Sequence, residues 1–249
     1  MKEKFILTFD LEFWHNSNFL KKYLPESQNF SEDYIFESVE PILNLLNKYG
    51  HKATFFALGQ TAEKYPELIK KISDSGHEIC SHGYSHIPLF ELDEEKFEKE
   101  IILTNNIIKK ITGKKAPGFR APNFSLNKKT SWAKNVIDKN FDYSSSIHPF
   151  SFSKKYGGQK EFIPSLGGFY FRIFPLWFFI FFIKNFSRSK MPILYFHPYE
   201  LFESSPKIDS APWYKRKIKY WGTKTAWKKF EKLMAQFEFI SIEQSLNLK

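Results

Sequence analysis

The sequence contains a single cysteine, Cys80, among its 249 residues. One cysteine cannot form an internal disulfide, so a fold held together by disulfides is excluded and nothing indicates an oxidising compartment. Residues 1–13 also lack the long apolar core and the small-residue cleavage site of a secretory signal. They are typical of the first strand of a domain, and we therefore expect a cytoplasmic protein.

Internal repeats, low-complexity linkers and long apolar runs are missing as well. The most apolar stretch, residues 169–183, is too short for a transmembrane helix and is interrupted by Arg172 and Pro175. A core helix in an aromatic-rich protein is the simpler interpretation. The alternative is an interfacial helix that lies on the inner face of a membrane, as a peripheral contact.

Aromatic residues and positive charge are abundant. The chain has 29 Phe, 12 Tyr and 6 Trp, and its formal net charge is +10. Aromatic rings pack in cores, stack on sugars and sit at membrane surfaces. The basic residues are concentrated in residues 215–232, which favours a solvated helix face or, alternatively, a membrane-surface patch. The charge would permit nucleic-acid binding, but no recognition motif is present and we expect none.

Short apolar stretches alternate with helical periodicities along most of the chain. Strands are predicted at residues 4–9, 53–58, 77–80, 118–120, 141–144, 193–197 and 239–242. Helices are predicted at residues 32–49, 61–75, 93–111, 130–139 and 223–238. The alternation indicates parallel strands with helical crossovers, in an open α/β sheet or a β/α barrel. Polar residues that follow the strands are then expected to converge at the carboxyl rim of the sheet.

Two histidines and two acids follow the first and third predicted strands. His82 and His86 are four residues apart in the motif SHGYSH, a spacing that one helical turn would bring to one side. Two imidazoles and a carboxylate can bind one divalent metal ion. Asp10 and Glu12 are two apart and would share a strand face, so one could bind metal while the other accepts a proton. The alternatives are half-buried or exposed histidines and solvated acids.

Arg120 and His197 also come directly after predicted strands. A guanidinium group beside a carboxylate would keep that carboxylate ionised and oriented. A histidine at this rim could protonate a leaving amine. The alternatives are a surface salt bridge for Arg120 and a core histidine for His197.

These motifs together resemble the polysaccharide deacetylase family, also called the NodB-homology or carbohydrate esterase family 4 domain. The matching segments span about four-fifths of the chain, and the D-x-E form of the first motif resembles a bacterial exopolysaccharide and surface-glycan subgroup. The segments are TFDLE at residues 8–12, ATFFALG at 53–59, GHEICSHGYSH at 76–86, FRAP at 119–122 and LYFHPYEL at 194–201.

The resemblance implies an α/β fold, a distorted (β/α) barrel with fewer than eight regular strands. It implies a single NodB-like domain over residues 1–249, with an aromatic insertion around 167–186 and a basic C-terminal helix. It implies a divalent metal, Zn²⁺ by preference, with Co²⁺ or Mn²⁺ as alternatives. The implied roles are Asp10 as catalytic base, Arg120 holding it, His197 as general acid, and Glu12, His82 and His86 as metal ligands.

Six further residues are candidate substrate contacts. Pro122 and the backbone N–H of Asn123 match the loop that stabilises the oxyanion in the family. The remaining candidates are Tyr84, Phe169, Tyr170 and Arg172.

The sequence departs from the family in three places. Leu11 separates two acids that are adjacent in many members, and Glu12 stands where Asp is commoner. Ser144 aligns where we expect an Asp that orients the general acid, so the orienting group for His197 is not assigned.

The expected activity is removal of N-acetyl groups from amino sugars in a bacterial polysaccharide or glycan precursor, with release of acetate. One alternative is hydrolysis of another non-peptide C–N bond on the same fold. The other is a catalytically silent glycan-binding protein. The sequence predicts neither the sugar nor the oligomeric state.

Overall fold

The computed structural model describes residues 2–16, 21–24, 34–146, 166–186 and 192–246. These residues form one parallel sheet with helices packed around it. The strands are β1 (Lys4–Leu11), β2 (Thr54–Ala57), β3 (Glu78–Ser81), β4 (Gly118–Phe119), β5 (Tyr143–Ser144), β6 (Leu166–Gly167), β7 (Ile193–Phe196) and β8 (Glu238–Ile240).

Helices connect most of the strands, and short 3₁₀ turns complete several connections. The α-helices are α1 (Tyr34–Tyr49), α2 (Gly59–Lys64), α3 (Pro66–Asp74), α4 (Glu94–Thr112), α5 (Ala133–Asn140), α6 (Gly168–Ile173), α7 (Leu176–Phe186), α8 (Trp213–Tyr220), α9 (Thr223–Gln236) and α10 (Ile242–Leu246). The 3₁₀ turns are Lys21–Tyr23, Leu89–Glu91, Pro122–Phe124, Lys128–Thr130 and Pro198–Leu201.

The strand order is β5-β4-β3-β2-β1-β7-β6, with β8 also paired to β1. Every pairing is parallel. No pairing joins β5 to β6 in the part of the chain that is described, so the sheet is a half-barrel. Strands β4, β5 and β6 are two residues each. The predicted distorted barrel is therefore confirmed.

Strand β1 is the centre of the sheet and of the core. It pairs with β2 along residues 8–11, with β7 along residues 6–9 and with β8 along residues 4–6. Its residues from Phe5 onward are buried, as expected for a strand covered on both faces. The Phe9 ring stacks on Phe55, 5.0 Å between centroids, and meets the edge of Phe230 from α9 at 6.2 Å.

Two predicted helices are wrong in extent because proline interrupts them. The single helix predicted at residues 61–75 is α2 followed by α3, and Pro66 starts the second because proline suits a first helical turn. Likewise the aromatic stretch forms α6 and α7, separated at Phe174 and Pro175. Helix α4 is capped at both ends. Asp93 accepts a bond from the Lys96 N–H at 2.8 Å, and Gly113 has φ 75°.

The basic C-terminal stretch is also two elements rather than one. Residues 213–220 form α8, and α9 begins at Thr223 after Gly222, whose φ is 76°. Among the described helices, none combines the length and the apolar character needed to cross a bilayer.

Candidate active site

The carboxyl ends of β1, β3, β4 and β7 bring the predicted site residues together. Asp10 lies near the end of β1, and Glu12 follows it. His82 follows β3, Arg120 follows β4 and His197 follows β7. The parallel register places these ends at one rim of the half-barrel.

Glu12, His82 and His86 form a group with the composition of a metal site. One ligand atom from each lies within 4.8 Å of the others, and all three residues are buried. Glu12 Oε2 is 2.9 Å from His86 Nε2, yet it makes no hydrogen bond of good geometry. The two atoms are buried and close together, yet they share no hydrogen bond. This arrangement is expected of two ligands that point at one metal ion.

The segment that carries the histidines is a turn, so the predicted helical spacing is wrong, although the two rings do come together. Gly83 has φ 79° and His86 has φ 60°, both in the left-handed region. The ring centroids of His82 and His86 are 5.4 Å apart. Glu100 of α4 holds the turn, because its carboxylate accepts bonds from the Tyr84 N–H at 3.1 Å and from the Ser85 hydroxyl.

The tautomer of His82 suits a ligand. Its Nδ1 is 2.8 Å from the carbonyl oxygen of Arg120. A carbonyl only accepts, so Nδ1 donates and Nε2 carries the free lone pair. Burial lowers the pKa of His82 to about 4, so the ring is neutral at neutral pH, as metal binding requires.

Asp10 is fixed by a buried ion pair. Arg120 Nη1 lies 2.6 Å from Asp10 Oδ1, and both side chains are almost fully buried. Arg120 Nη2 donates to the Ser145 hydroxyl at 2.9 Å, and the guanidinium carbon is 4.1 Å from the centroid of the Phe56 ring. A buried arginine bonded in this way holds the orientation of the carboxylate.

His197 lies between the acids of the rim. Its Nε2 is 2.5 Å from Glu12 Oε1 and 4.0 Å from Asp10 Oδ2, and its Nδ1 is 2.9 Å from Glu200 Oε2. Burial alone would lower the pKa of His197, but the two glutamates outweigh it and raise the pKa to about 10. The ring is therefore a proton donor at neutral pH.

Glu200 is a site residue that the sequence motifs did not single out. It accepts from the backbone N–H of His197 at 3.2 Å and from Nδ1 of its ring. Arg172 Nη2 is 3.1 Å from its other carboxylate oxygen. Burial opposes ionisation of Glu200, but His197 and Arg172 hold its pKa far below the usual range. Ser144, in the position where an Asp was expected, bonds instead to the Ser146 hydroxyl at 2.7 Å.

The rim encloses an open cavity of about 320 Å³, which continues into a second one of about 280 Å³. Asn123, which has φ 55°, lines both cavities, and Phe169 and Arg172 line the larger one. The residues that line the larger cavity are Glu12, His86, Asn123, Gly168, Phe169, Arg172, Tyr195, His197, Tyr199, Glu200, Ile218 and Lys219.

Three of the predicted substrate contacts are not among the residues that line these cavities. Tyr84 donates its hydroxyl to Glu63 at 2.7 Å. Pro122 is buried next to Gly83. Tyr170 packs on Phe169 and on Phe174, with centroid distances of 5.5 and 6.3 Å. Arg172 reaches the cavity but is buried, and its Nη1 donates to the carbonyls of Lys219 and Trp221.

A parallel half-barrel with a buried Glu–His–His group at its carboxyl rim, beside an Asp–Arg pair, defines a hydrolase class that can use a metal ion. Comparison with known families agrees. Residues 29–140 match the polysaccharide deacetylase model, and residues 145–247 match a domain of unknown function, DUF3473. Residues 29–140 thus match the family that the sequence motifs resemble, the NodB-homology or carbohydrate esterase family 4 domain.

Among curated proteins, the peptidoglycan-N-acetylglucosamine deacetylase of Bacillus cereus is 37% identical over 106 residues. This match covers 42% of our chain and 38% of that protein. The chain spans about two-fifths or less of the length of the curated relatives it matches.

Solved structures show the same fold at lower identity. A polysaccharide deacetylase from Mycobacterium smegmatis matches with a TM-score of 0.65 and 19% identity, over 98% of our chain and 88% of that one. A family 4 pseudoenzyme from Bacillus anthracis matches with a TM-score of 0.55 and 18% identity, over 98% of our chain and 65% of that one.

Proposed function

We propose that this protein hydrolyses the N-acetyl group of amino sugars in a bacterial polysaccharide or glycan precursor and releases acetate. The observation that carries the proposal is the Glu12, His82 and His86 group, with ligand atoms within 4.8 Å, in the same cavity system as Asp10 and His197. Hydrolysis of an amide needs a base for water and an acid for the amine, and the cavity supplies one candidate for each.

Glu12, His82 and His86 would hold the metal ion. One carboxylate and two imidazoles are a ligand set that zinc accepts readily, and Zn²⁺ is the ion we propose; Co²⁺ and Mn²⁺ accept the same donors. When bound, such an ion polarises the acetamide carbonyl and lowers the pKa of water.

Asp10 acts as the base. It accepts a proton from the water that attacks the acetamide carbon, while Arg120 holds its carboxylate in a fixed orientation. The backbone N–H of Asn123 then donates to the oxyanion of the tetrahedral intermediate. The left-handed conformation of Asn123 turns the backbone at the rim of both cavities.

His197 acts as the acid. As the C–N bond breaks, its Nε2 gives a proton to the departing amine, and the free amino sugar and acetate leave. Glu200 binds Nδ1 at 2.9 Å and so fixes both the orientation and the charge of the ring. Arg172, bonded to Glu200, completes the chain that positions the acid.

We further propose that residues 1–249 form a single functional domain in the cytoplasm, in contact with the inner face of the membrane. Strand β7 from the second matched segment pairs with β1, and His197 stands beside Glu12, which supports one shared site. The D-x-E form of the first motif supports assignment to the exopolysaccharide and surface-glycan subgroup.

The test is acetate release from N-acetylglucosamine oligomers and lipid-linked glycans, before and after chelation and with zinc, cobalt or manganese restored. We expect release that disappears with the chelator and returns with the metal. A protein that binds the metal stoichiometrically but releases no acetate from any acceptor would contradict the proposal and would indicate a silent glycan-binding protein.

A further inference from the structure

One side of the active-site mouth exposes large apolar side chains to solvent. Tyr214, Ile218 and Trp221 follow one another at helical spacing along α8 and into the residue after it, and they are 49%, 46% and 50% exposed. Trp213, the first residue of α8, is 70% exposed. Helix α8 has no buried residue, although a helix packed on a core buries its apolar stripe.

Helix α8 forms part of the wall of the candidate active site. Ile218 lines the larger cavity together with Phe169, which is 38% exposed. Arg172 fixes α8 in place, because its Nη1 donates to the carbonyls of Lys219 and Trp221 at 2.7 and 2.9 Å. Ile218 and Phe169 therefore border the cavity, and the other exposed side chains of α8 lie on the same helix as Ile218. We call Phe169, Trp213, Tyr214, Lys217, Ile218 and Trp221 the rim patch.

The rim patch lies in the most basic part of the chain. Residues 210–230 include no Asp or Glu. Asp209 and Glu203, just outside this stretch, offset Arg216 at 2.9 Å and Lys224 at 3.4 Å. Lys217 is exposed, and its Nζ lies 5.4 Å from the centroid of the Trp221 ring.

The exposed face of α8 carries both aromatic rings and lysine side chains, a combination that suits binding to an anionic bilayer surface. The rings can enter the headgroup region while the lysine amines meet lipid phosphates. A neutral glycan would gain binding affinity from the aromatic rings alone, because the positive charges would contribute little to its binding. Charge complementarity thus favours lipid over glycan as the occupant.

We propose that the rim patch docks on anionic lipid headgroups and holds the cavity mouth at a bilayer surface, where the substrate is a glycan carried on a lipid. The identity of that substrate rests on the proposed deacetylase function. The docking rests only on the exposed side chains and their charge.

The test is co-sedimentation with vesicles of phosphatidylcholine and phosphatidylglycerol, compared with vesicles of phosphatidylcholine alone. We expect the wild-type protein to bind the anionic vesicles at low salt. The double variant Trp213→Ser/Trp221→Ser should bind them about tenfold more weakly, and Lys217→Gln about fivefold more weakly. The matched control is Ile102→Ser/Leu103→Ser on α4, where residues 47% and 44% exposed lie outside the patch; its affinity should stay unchanged.

Acetate release from soluble oligomers, measured on the same variants, separates the two proposals. Vesicle binding without any acetate release would contradict the proposed function and leave the docking intact. Wild-type protein that ignores anionic vesicles at low salt would overturn the docking, as would equal losses in the patch and control variants. Two further outcomes would overturn the docking. The double variant could lose affinity only for oligosaccharides, or light scattering could show that the wild type is a dimer and the double variant a monomer.

Discussion

The two sides of the active site are built in different ways. Asp10, His82 and Arg120 stand at the ends of strands β1, β3 and β4, so the sheet sets their positions, and one ion pair between Arg120 and Asp10 orients the base. His197 follows β7, but its ring is fixed by side chains, through Glu200 and then Arg172. The metal and base side thus depends on the parallel sheet, whereas the acid side depends on a network of charges beside the exposed rim patch.

The base variant should give the largest effect. Asp10→Asn removes the proton acceptor but keeps the shape, so acetate release should fall about 10³-fold or more. Metal content should remain near that of the wild type, because Asp10 is outside the ligand group. The measurements are acetate release and bound metal by elemental analysis. Exposed Asp138 on α5 provides the control, Asp138→Asn, which should retain full activity. Normal turnover by Asp10→Asn would contradict the assignment of the base.

The packing between the two sides can be tested through Phe230. Its ring is fully buried and lies 6.2 Å from that of Phe9 and 5.4 Å from that of Phe196, so it joins α9 to both β1 and β7. Phe230→Ala should lower the free energy of unfolding by about 3–5 kcal/mol, the usual cost of such a cavity. Denaturant titration measures this loss. Phe90→Ala, at a side chain 57% exposed, should change it by less than about 0.5 kcal/mol.

Glu200→Gln tests whether the negative charge of Glu200 keeps His197 ready to act as the acid. The amide keeps nearly the same size but loses the negative charge beside His197 Nδ1. We expect kcat to fall about 100-fold with little change in KM, because the effect acts on proton donation rather than on substrate binding. Glu203→Gln is the matched control and should leave kcat unchanged. Equal changes in kcat and KM, or a partly unfolded circular dichroism spectrum, would indicate a structural role instead.

A smaller effect is expected at His77, which is remote from the rim. Burial, reinforced by Lys52, lowers the pKa of His77 from its usual 6.5 to about 4. The folded state therefore disfavours the protonated ring. Stability from this residue is complete above pH 6.5 and is lost as the pH falls from 6.5 to about 4.

The matching measurement is the free energy of unfolding across that pH range for wild type and His77→Gln. The wild type should lose up to about 3 kcal/mol more than the variant, at 1.36 kcal/mol per pKa unit. Parallel curves for the two proteins would show that His77 does not cause the acid sensitivity.

The strand-borne part of the site was predictable because the fold supplies the geometry. A polar residue that directly follows an apolar strand in a β/α chain lies at the carboxyl rim of the sheet, irrespective of the loop conformation. The rim position of Asp10, His82, Arg120 and His197 could therefore be predicted from the sequence. The roles assigned to them came from the family resemblance. The SHGYSH turn could not be inferred from spacing, since a left-handed Gly83 produces the same proximity as a helical turn.

Glu200 and the rim patch were harder to predict because their signals are local and weak. His197 and Glu200 are three residues apart around a proline, the spacing at which a side chain reaches back to the start of a helical turn. That pattern was present in the sequence, but a conventional Asp was expected elsewhere. The i, i+4, i+7 pattern of Tyr214, Ile218 and Trp221 was also present, but sequence alone does not tell which face of a helix meets solvent.

The three neighbours of β1 have a consequence for how the chain is made. Its residues leave the ribosome long before those of β7, which begins at Ile193, and of β8, which begins at Glu238. Until the segments with β7 and β8 have been synthesised, one edge of the very apolar strand β1 has no partner. Unpaired edges of this kind can pair with other chains and cause aggregation. Closing contacts so distant in sequence is also slow. A synthesis that stops before residue 193 would therefore yield a product that lacks the acid and is prone to aggregate.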